Sequence, residues 1–180
     1  MKKLIVATVL LLVLPTLALA QQPAPQDAWQ GYAFLGAGTG ARYCAYGCGT
    51  IWHGGFGGEA FLHKGLGVGA EAGFAHWGPN NFGFNYNDAF IVSGDFSYHF
   101  RRRALRGQLD PFVLIGPSAY FPTNHGRGLL AGNFGGGVNF WLSRRAALRL
   151  EIRDYVNPNS DLNGWPGPHS VSFRFGITFR

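Results

Sequence analysis

The stretch AFIVSGDFSYHF carries side chains that a nucleophilic enzyme would need. Ser93, Ser97 and His99 alternate with apolar residues, so in a β-strand they share one face. A serine becomes a nucleophile when a histidine, itself oriented by an acidic or other group, accepts its proton. Whether these residues do such chemistry depends on the strand that carries them and on the end of that strand where they lie.

Two other patterns bear on cofactors and metals. The sequence GAGTG at 36–40 has the glycines of a phosphate-binding loop, but no helix or βαβ unit follows it. The histidines lie on predicted loops and strand ends without the spacing of a metal site, and we interpret them as hydrogen-bonding residues of a rim or lumen. We therefore predict no cofactor and no metal. The histidines are His53, His63, His76, His99, His125 and His169.

The amino terminus has the features of an export signal. Lys2 and Lys3 precede an apolar stretch over 4–14, and the small residues at 18–20 are typical of a cleavage site. The apolar stretch is shorter than the ~20 residues of a membrane-spanning helix. We predict a signal peptide over 1–20, a proline-containing periplasmic lead-in over 21–28 and one domain over 29–180.

Cys44 and Cys48 lie close together in CAYGC, in a chain predicted to leave the cytoplasm. Their compartment favours a disulfide within a loop over two free thiols, and metal binding would need further ligands that the spacing does not supply. Neither interpretation makes them catalytic.

The composition is unusual for a protein surrounded by water. Charged residues are 13% of the chain, aromatic residues are 16%, and glycine occurs 28 times. Loss of Lys2 and Lys3 with the signal lowers the formal net charge from +6 to +4. This charge is too small to indicate a nucleic-acid partner.

From Trp29 onward the hydrophobic pattern has a period of two, which predicts an all-β protein. Most of the connections predicted to share one rim are long. Two connections at the opposite rim are short, namely Lys64-Gly65 and Ser143–Arg145. The ten-residue connection 101–110 is the exception. The predicted strands are Trp29–Gly40, Gly54–His63, Leu66–Trp77, Phe90–Phe100, Pro111–Phe121, Leu130–Leu142, Ala146–Tyr155 and Ser170–Phe179.

The polar phase of these strands contains small residues and a nearly balanced set of charges. A surface in water would carry many more charges, whereas a narrow lumen is filled by small residues and ions that pair with one another. We predict a salt-bridge network inside the barrel and the apolar phase outside, facing lipid. The predicted network contains Glu59, Glu71, Asp95, Arg149, Glu151, Arg153 and Arg174.

The register that places the polar phase in the lumen is strongly favoured, because a basic residue facing lipid at the bilayer midplane costs ~2–4 kcal/mol. The first and fifth strands are apolar in both phases, and the sequence leaves their faces open. Pro111 and Pro117 indicate local bends or bulges in the fifth. Trp52, Trp77, Trp141 and Trp165 are predicted near strand ends or in loops, as in an interfacial girdle.

The segments GNFGGGVNFWL and LRLEIRDY and the terminal SVSFRFGITFR resemble the small outer-membrane β-barrel family, which includes the OmpA transmembrane domain and OmpX-type proteins. The resemblance covers residues 29–179. It implies an eight-stranded antiparallel up-and-down transmembrane β-barrel in a bacterial outer membrane, with lipid around it. It also implies that Phe175, Ile177 and Phe179 form a terminal signal for the barrel-assembly machinery.

For such a barrel we predict a structural or surface-interaction role without a large pore. An unknown extracellular ligand would meet loop residues such as Phe82, Tyr86, His125 and Trp165. The alternatives are a lipid A-modifying barrel enzyme and a small-solute porin. The enzyme would need its serine and histidine at the outer-leaflet rim, whereas the strand of Ser97 and His99 runs toward the periplasm. We therefore predict no catalytic residue.

Overall fold

The computed structural model describes residues 29–40, 50–77, 88–100, 108–123, 128–156 and 169–180. These residues form eight β-strands. In chain order they are β1 (Trp29–Gly40), β2 (Thr50–His63), β3 (Leu66–Trp77), β4 (Ala89–His99), β5 (Leu109–Pro122), β6 (Leu129–Trp141), β7 (Ala146–Val156) and β8 (His169–Phe179). The predicted signal peptide, the lead-in, Cys44 and Cys48 lie outside the described residues.

The strands form one closed barrel in which each pairs antiparallel with its neighbours in the chain. β1 closes the barrel by pairing with β8, and Gly31 lies opposite Phe179. Closure leaves no sheet edge, which is the condition for a sheet to stand in hydrocarbon. The predicted eight-stranded up-and-down barrel is confirmed. Within the part of the chain that the structure describes, no helix is long and apolar enough to span a bilayer.

The two rims differ in the length of their connections. The rim that holds Trp29 and Arg180 also holds the tight turn Lys64-Gly65 and the turn 142–145. The opposite rim holds the connections 41–49, 78–88, 123–128 and 157–168. We call these the short-turn rim and the loop rim. The nine-residue connection 100–108, between β4 and β5, is the long exception at the short-turn rim.

Most predicted strand ends agree with the structure to within one residue, but β2 begins at Thr50 instead of Gly54. The sequence TIWH, which precedes Gly54 and Gly55, continues the alternation of inward and outward side chains. Ile51 and His53 are buried and Trp52 is exposed. Glycine pairs usually indicate turns. Here they lie inside a strand, so the sequence-based boundary was placed four residues too late.

The exterior is an apolar band and the interior is polar. Large hydrophobic residues on all eight strands are exposed, whereas the buried set includes five carboxylates and three arginines. On β8 the alternation is regular from Ser172 onward, because Phe173, Phe175, Ile177 and Phe179 lie outside and Arg174 lies inside. Such an exterior would be unfavourable in water and is suited to lipid.

The structure assigns the faces of β1 and β5, which the sequence left open. On β1, Tyr32 and Phe34 point inward and Leu35 outward; on β5, Phe112 and Tyr120 point inward. Trp141 was expected in an interfacial girdle and instead lies in the lumen, 4% exposed, beneath the guanidinium of Arg180 at 3.7 Å from its ring. Trp52 has the expected outward position.

Pro111 and Pro117 do not shift the register of β5, whose pairing with β6 is continuous across both prolines. Its pairing with β4 is interrupted beside Pro117, between Ser93↔Ser118 and Phe96↔Ile115, and resumes in the same register. The register shift lies instead in β2, between Phe61 and His63. Close to Pro117, β4 and β5 approach each other so closely that a Cβ on Gly116 would collide with the carbonyl oxygen of Gly94. Glycine is thus required at this position by the neighbouring backbone.

Gly116→Ala is therefore expected to lower the free energy of unfolding by about 1–3 kcal/mol, the usual cost of overpacking. Gly132→Ala is the matched control, because no atom lies within 4 Å of the position where its Cβ would be. The control should be neutral or slightly stabilising. Urea unfolding of the refolded barrel in lipid vesicles measures both, and equal stability of the two variants would contradict the close approach.

Candidate functional site

The centre of the lumen holds Arg174 between two carboxylates. Its Nη1 donates to Glu151 Oε1 at 2.8 Å and to Glu71 Oε2 at 3.0 Å, while its Nη2 donates to Glu71 Oε1. Glu151 lies directly opposite Arg174 in the pairing of β7 with β8, whereas Glu71 reaches it from β3. All three side chains are buried, and mutual pairing offsets the cost of removing them from water.

The alternation of LRLEIRDY places three charges of β7 on one inner face. Arg149 Nη2 lies 2.8 Å from Glu151 Oε2, and Arg153 Nε donates to Glu151 Oε1 at 2.7 Å. Arg153 also reaches the opposite wall, where its Nη1 donates to Asp95 Oδ2 at 3.0 Å. One strand therefore supplies two guanidinium groups and the carboxylate between them, and this row connects β3, β4 and β8.

Aromatic rings of β1 and β5 pack against the guanidinium groups. The Cζ atom of Arg174 lies 3.6 Å from the ring centroid of Phe34, and that of Arg149 lies 4.0 Å from Phe112 and 4.3 Å from Tyr32. A cation over a ring face is stabilised by the ring quadrupole, most strongly away from water. These contacts explain why two strands present large rings to a charged interior.

A second polar cluster lies toward the short-turn rim. Glu59 accepts hydrogen bonds from Gln30 Nε2 at 2.6 Å and from Ser97 Oγ. His99 bridges two carboxylates, with Nε2 3.1 Å from Glu59 Oε2 and Nδ1 3.0 Å from Asp110 Oδ2. Each ring nitrogen of His99 therefore has a carboxylate oxygen as its hydrogen-bond partner. The cluster connects β1, β2, β4 and β5.

Toward the loop rim the lumen becomes apolar. The buried cluster there has no charged member, and one of its tyrosines, Tyr155, donates to Glu71 Oε1 at 3.5 Å. The lumen thus has an apolar layer above two polar clusters. The apolar layer consists of Ile51, Ala75, Ala89, Ile91, Tyr120, Leu129, Ala131 and Tyr155.

The seven residues that the sequence placed in a luminal network are all buried and lie within this system of contacts. The sequence-based network did not include other residues that bond to it, among them Gln30, Tyr32, Ser97, Asp110 and Tyr155. His99 had been interpreted only as a hydrogen-bonding residue of a rim or lumen. Asp110 had been placed in the connection after the fourth strand. With Asp110, the buried carboxylates number five against three arginines, so the acids outnumber the arginines. Of the terminal residues, Phe175, Ile177 and Phe179 lie on the lipid-facing side.

Ser93, Ser97 and His99 do not form a catalytic arrangement in the described residues. Ser93 Oγ lies 2.8 Å from Ser118 Oγ, and Ser97 and His99 both bond to Glu59 rather than to each other. All of these groups are buried inside the barrel. A serine without a histidine to accept its proton has no activated oxygen.

Outside the lumen, two exposed pairs lie near the loop rim. His76 Nδ1 is 2.6 Å from Asp88 Oδ1, and His169 Nδ1 is 2.7 Å from Asp154 Oδ2. Within residues 29–40, 50–77, 88–100, 108–123, 128–156 and 169–180, no group of three or more potential ligands could hold a metal ion.

The sequence matches no protein-family model and no curated protein. Solved structures do match. The N-terminal β-barrel domain of Pseudomonas aeruginosa OprF is 16% identical with a TM-score of 0.58, and the match covers 84% of this chain and 95% of that domain. Neisserial surface protein A is 10% identical with a TM-score of 0.63, and the match covers 85% of this chain and 97% of that protein. Ail, the attachment invasion locus protein of Yersinia pestis, is 11% identical with a TM-score of 0.52, and the match covers 86% of this chain and 99% of Ail.

These likenesses show the fold, which is that of the small eight-stranded outer-membrane β-barrels. The apolar exterior and the charged interior are what that fold requires in a bilayer. The chain is therefore a transmembrane barrel of the outer-membrane type.

Proposed function

We propose that this protein is a sealed barrel of the bacterial outer membrane that acts through its external surface and not by conducting solutes. The observation that carries the proposal is the filling of the lumen. Three guanidinium groups, five carboxylates and an apolar layer occupy the interior of a barrel of only eight strands. An eight-stranded barrel is just wide enough for its own side chains.

The ion pairs inside the lumen support this role because they hold the walls together. Arg153 and Arg174 bond to carboxylates on β3, β4 and β7, which lie on different sides of the barrel. A conducting path would have to separate these pairs without water to replace them, which is costly for buried charges. The small-solute porin is therefore not favoured by the described residues.

The loop rim is the side from which such a barrel would meet other molecules. In outer-membrane barrels the short turns are periplasmic and the longer connections extracellular. The longest connection between described strands is 157–168, and it belongs to the loop rim. We infer an unidentified extracellular ligand or an envelope-structural role there, with outer-membrane lipid and the barrel-assembly machinery as the other partners.

An enzymatic role has no support among the described residues, because Ser97 and His99 share Glu59 and lie inside the barrel. The proposal can be tested directly. The purified chain in planar bilayers should give no steady conductance, and a strain without it should show altered adhesion or envelope permeability.

A variant in which 157–168 is replaced by a short Gly-Ser linker should insert normally and lose the adhesion or permeability effect. Insertion is checked by heat-modifiable migration in detergent gels. Large steady channels in the wild-type protein would contradict the sealed lumen. Full complementation by the linker variant would contradict an external role for that connection.

A further inference from the structure

We propose that the contact between Phe179 and Gly31 keeps the barrel closed at the junction of β1 with β8, where the wall would otherwise open sideways into lipid. A Cβ at Gly31 would lie 2.5 Å from Cε2 and 2.7 Å from Cζ of Phe179, so the aromatic ring occupies the space beside the glycine. The inference concerns the closed barrel and goes beyond the external role proposed above, on which it does not depend.

The junction of β1 with β8 differs from every other junction in the wall. Each of the others joins two strands that follow one another in the chain, so one connection holds the pair together. β1 begins at Trp29 and β8 ends at Phe179, so contacts between the two strands must hold this junction. The entropic cost of bringing two segments together grows with the length of chain between them. The wall is therefore expected to open here first.

The ring of Phe179 covers Gly31 from outside the barrel. Gly31 has an outward-facing position on β1, between the inward-facing Gln30 and Tyr32, and it is nevertheless buried. Phe179 is its direct partner in the pairing of β1 with β8. On the other side of β8 the partner of Phe179 is Ala146. Since the ring lies against Gly31, one side chain of β8 spans the junction and packs on the backbone of β1.

Among the outward-facing strand glycines that the structure describes, Gly31 alone has an aromatic ring in the place of a side chain. At the others, a Cβ would meet an aliphatic side chain, a backbone oxygen or no atom within 4 Å. These glycines are Gly54, Gly58, Gly94, Gly132 and Gly136. The glycine that a ring covers thus lies at the junction that no single connection holds together.

Close packing supplies the energy of this contact. Lipid tails are as apolar as the ring, so the hydrophobic effect gives no preference between lipid and the surface of β1. Small residues stabilise contacts within a membrane because they allow close approach to the backbone, where dispersion contacts are gained. Gly31 is such a residue, and the ring of Phe179 uses the space that the absent side chain leaves.

The contact can be removed without disturbing the pairing of the two strands. The atoms that a Cβ at Gly31 would meet belong to the movable ring of Phe179. At Gly36, on the same strand, a Cβ would instead lie 2.7 Å from the carbonyl oxygen of Phe173, which the strand pairing holds in place. Gly31→Ala should therefore displace the ring into lipid and leave the backbone of β1 and β8 where it is.

The test measures hydrogen exchange of the refolded protein in bicelles, with mass spectrometry of its peptides. Gly31 and Phe179 lie at the short-turn rim, near the interface where water reaches the strands. Gly31→Ala should raise the exchange rate of β1 and β8 at this rim about tenfold, which corresponds to ~1.4 kcal/mol. Exchange of β4 and β5, on the opposite wall, should not change. Gly132→Ala is the matched control, because its methyl group meets no atom within 4 Å.

Phe179→Leu removes the ring and keeps the glycine, so it should raise the exchange of the same amides by a similar factor. Phe175→Leu is its control, because Phe175 lies on the same strand and its partner on β1 is Leu35. The effects of Gly31→Ala and Phe179→Leu should not add in the double variant, because both remove one contact.

Unchanged exchange in Gly31→Ala, an equal rise in Gly132→Ala, or full additivity in the double variant would each overturn the proposal. A rise spread over all eight strands would also overturn it, because it would show a general loss of stability and not an opening at one junction. If Gly31→Ala does not refold, seen as migration that heat does not modify, Phe179→Leu and its control decide the question.

Discussion

A barrel carrying Arg174→Met is expected to lose about 3–5 kcal/mol of its free energy of unfolding, the cost of removing one partner from a buried ion pair. Arg174 bonds to both Glu71 and Glu151, and it contacts both carboxylate oxygens of Glu71. Without it, Glu71 keeps only the longer ion pair with Arg153 at 3.5 Å, whereas Glu151 keeps Arg149 and Arg153. Since folded domains are typically stable by about 5–15 kcal/mol, this single change removes a large part of the stability.

Urea unfolding in lipid vesicles, followed by tryptophan fluorescence, measures the effect. The control is Arg144→Met, because Arg144 is exposed in the turn between β6 and β7, where most substitutions change stability by less than about 0.5 kcal/mol. Equal stability of the two variants would show that the central network contributes nothing.

A double-mutant cycle identifies the partner. Glu71→Gln removes the charge that loses its closest partner in Arg174→Met, so the double variant should be more stable than the sum of the two losses predicts. The difference is the coupling energy between Arg174 and Glu71. A coupling energy of zero would mean that the contact between β3 and β8 carries no stability.

The sequence was sufficient to predict those features of the barrel that depend on alternation. On β8, every second residue is apolar, and only one register keeps Arg174 away from lipid. The same argument places Arg149, Glu151 and Arg153 on one inner face of β7. These predictions needed only the two-residue period and the high cost of a charge in hydrocarbon.

The faces of β1 and β5 were not predictable in this way. An aromatic ring suits both lipid and the space beside an arginine, so Tyr32, Phe34 and Phe112 fit either side by type alone. The choice depends on where Arg149 and Arg174 extend from β7 and β8. That position follows from the closed barrel and cannot be obtained from a single strand.

The partners within the network also required the structure. Glu151 and Arg174 are opposite each other on neighbouring strands, so alternation and pairing nearly suffice. Glu71 and Arg174 belong to strands that are not neighbours, and their contact depends on the register around the whole barrel. Asp110 was missed because the sequence-based boundary of β5 began after it, at Pro111.

Substitution of arginine at two equally exposed sites on one strand should have very different effects. Phe56 and Leu62 both lie on the outer face of β2 and are both 68% exposed. Phe56 is near the middle of the strand, whereas Leu62 is one residue from its end at His63. Phe56→Arg is expected to cost about 2–4 kcal/mol of unfolding free energy, and Leu62→Arg about 0–1 kcal/mol.

The difference between these two values distinguishes lipid from water as the medium around the barrel. An arginine at position 62 reaches the interface with its long side chain, whereas one at position 56 stays in the hydrocarbon. In water, two sites of equal exposure would tolerate arginine equally, because an exposed charge is fully solvated at either depth. Urea unfolding of both variants in vesicles measures the difference. Equal stabilities would mean that no hydrocarbon layer surrounds the middle of β2, and the membrane location would be wrong.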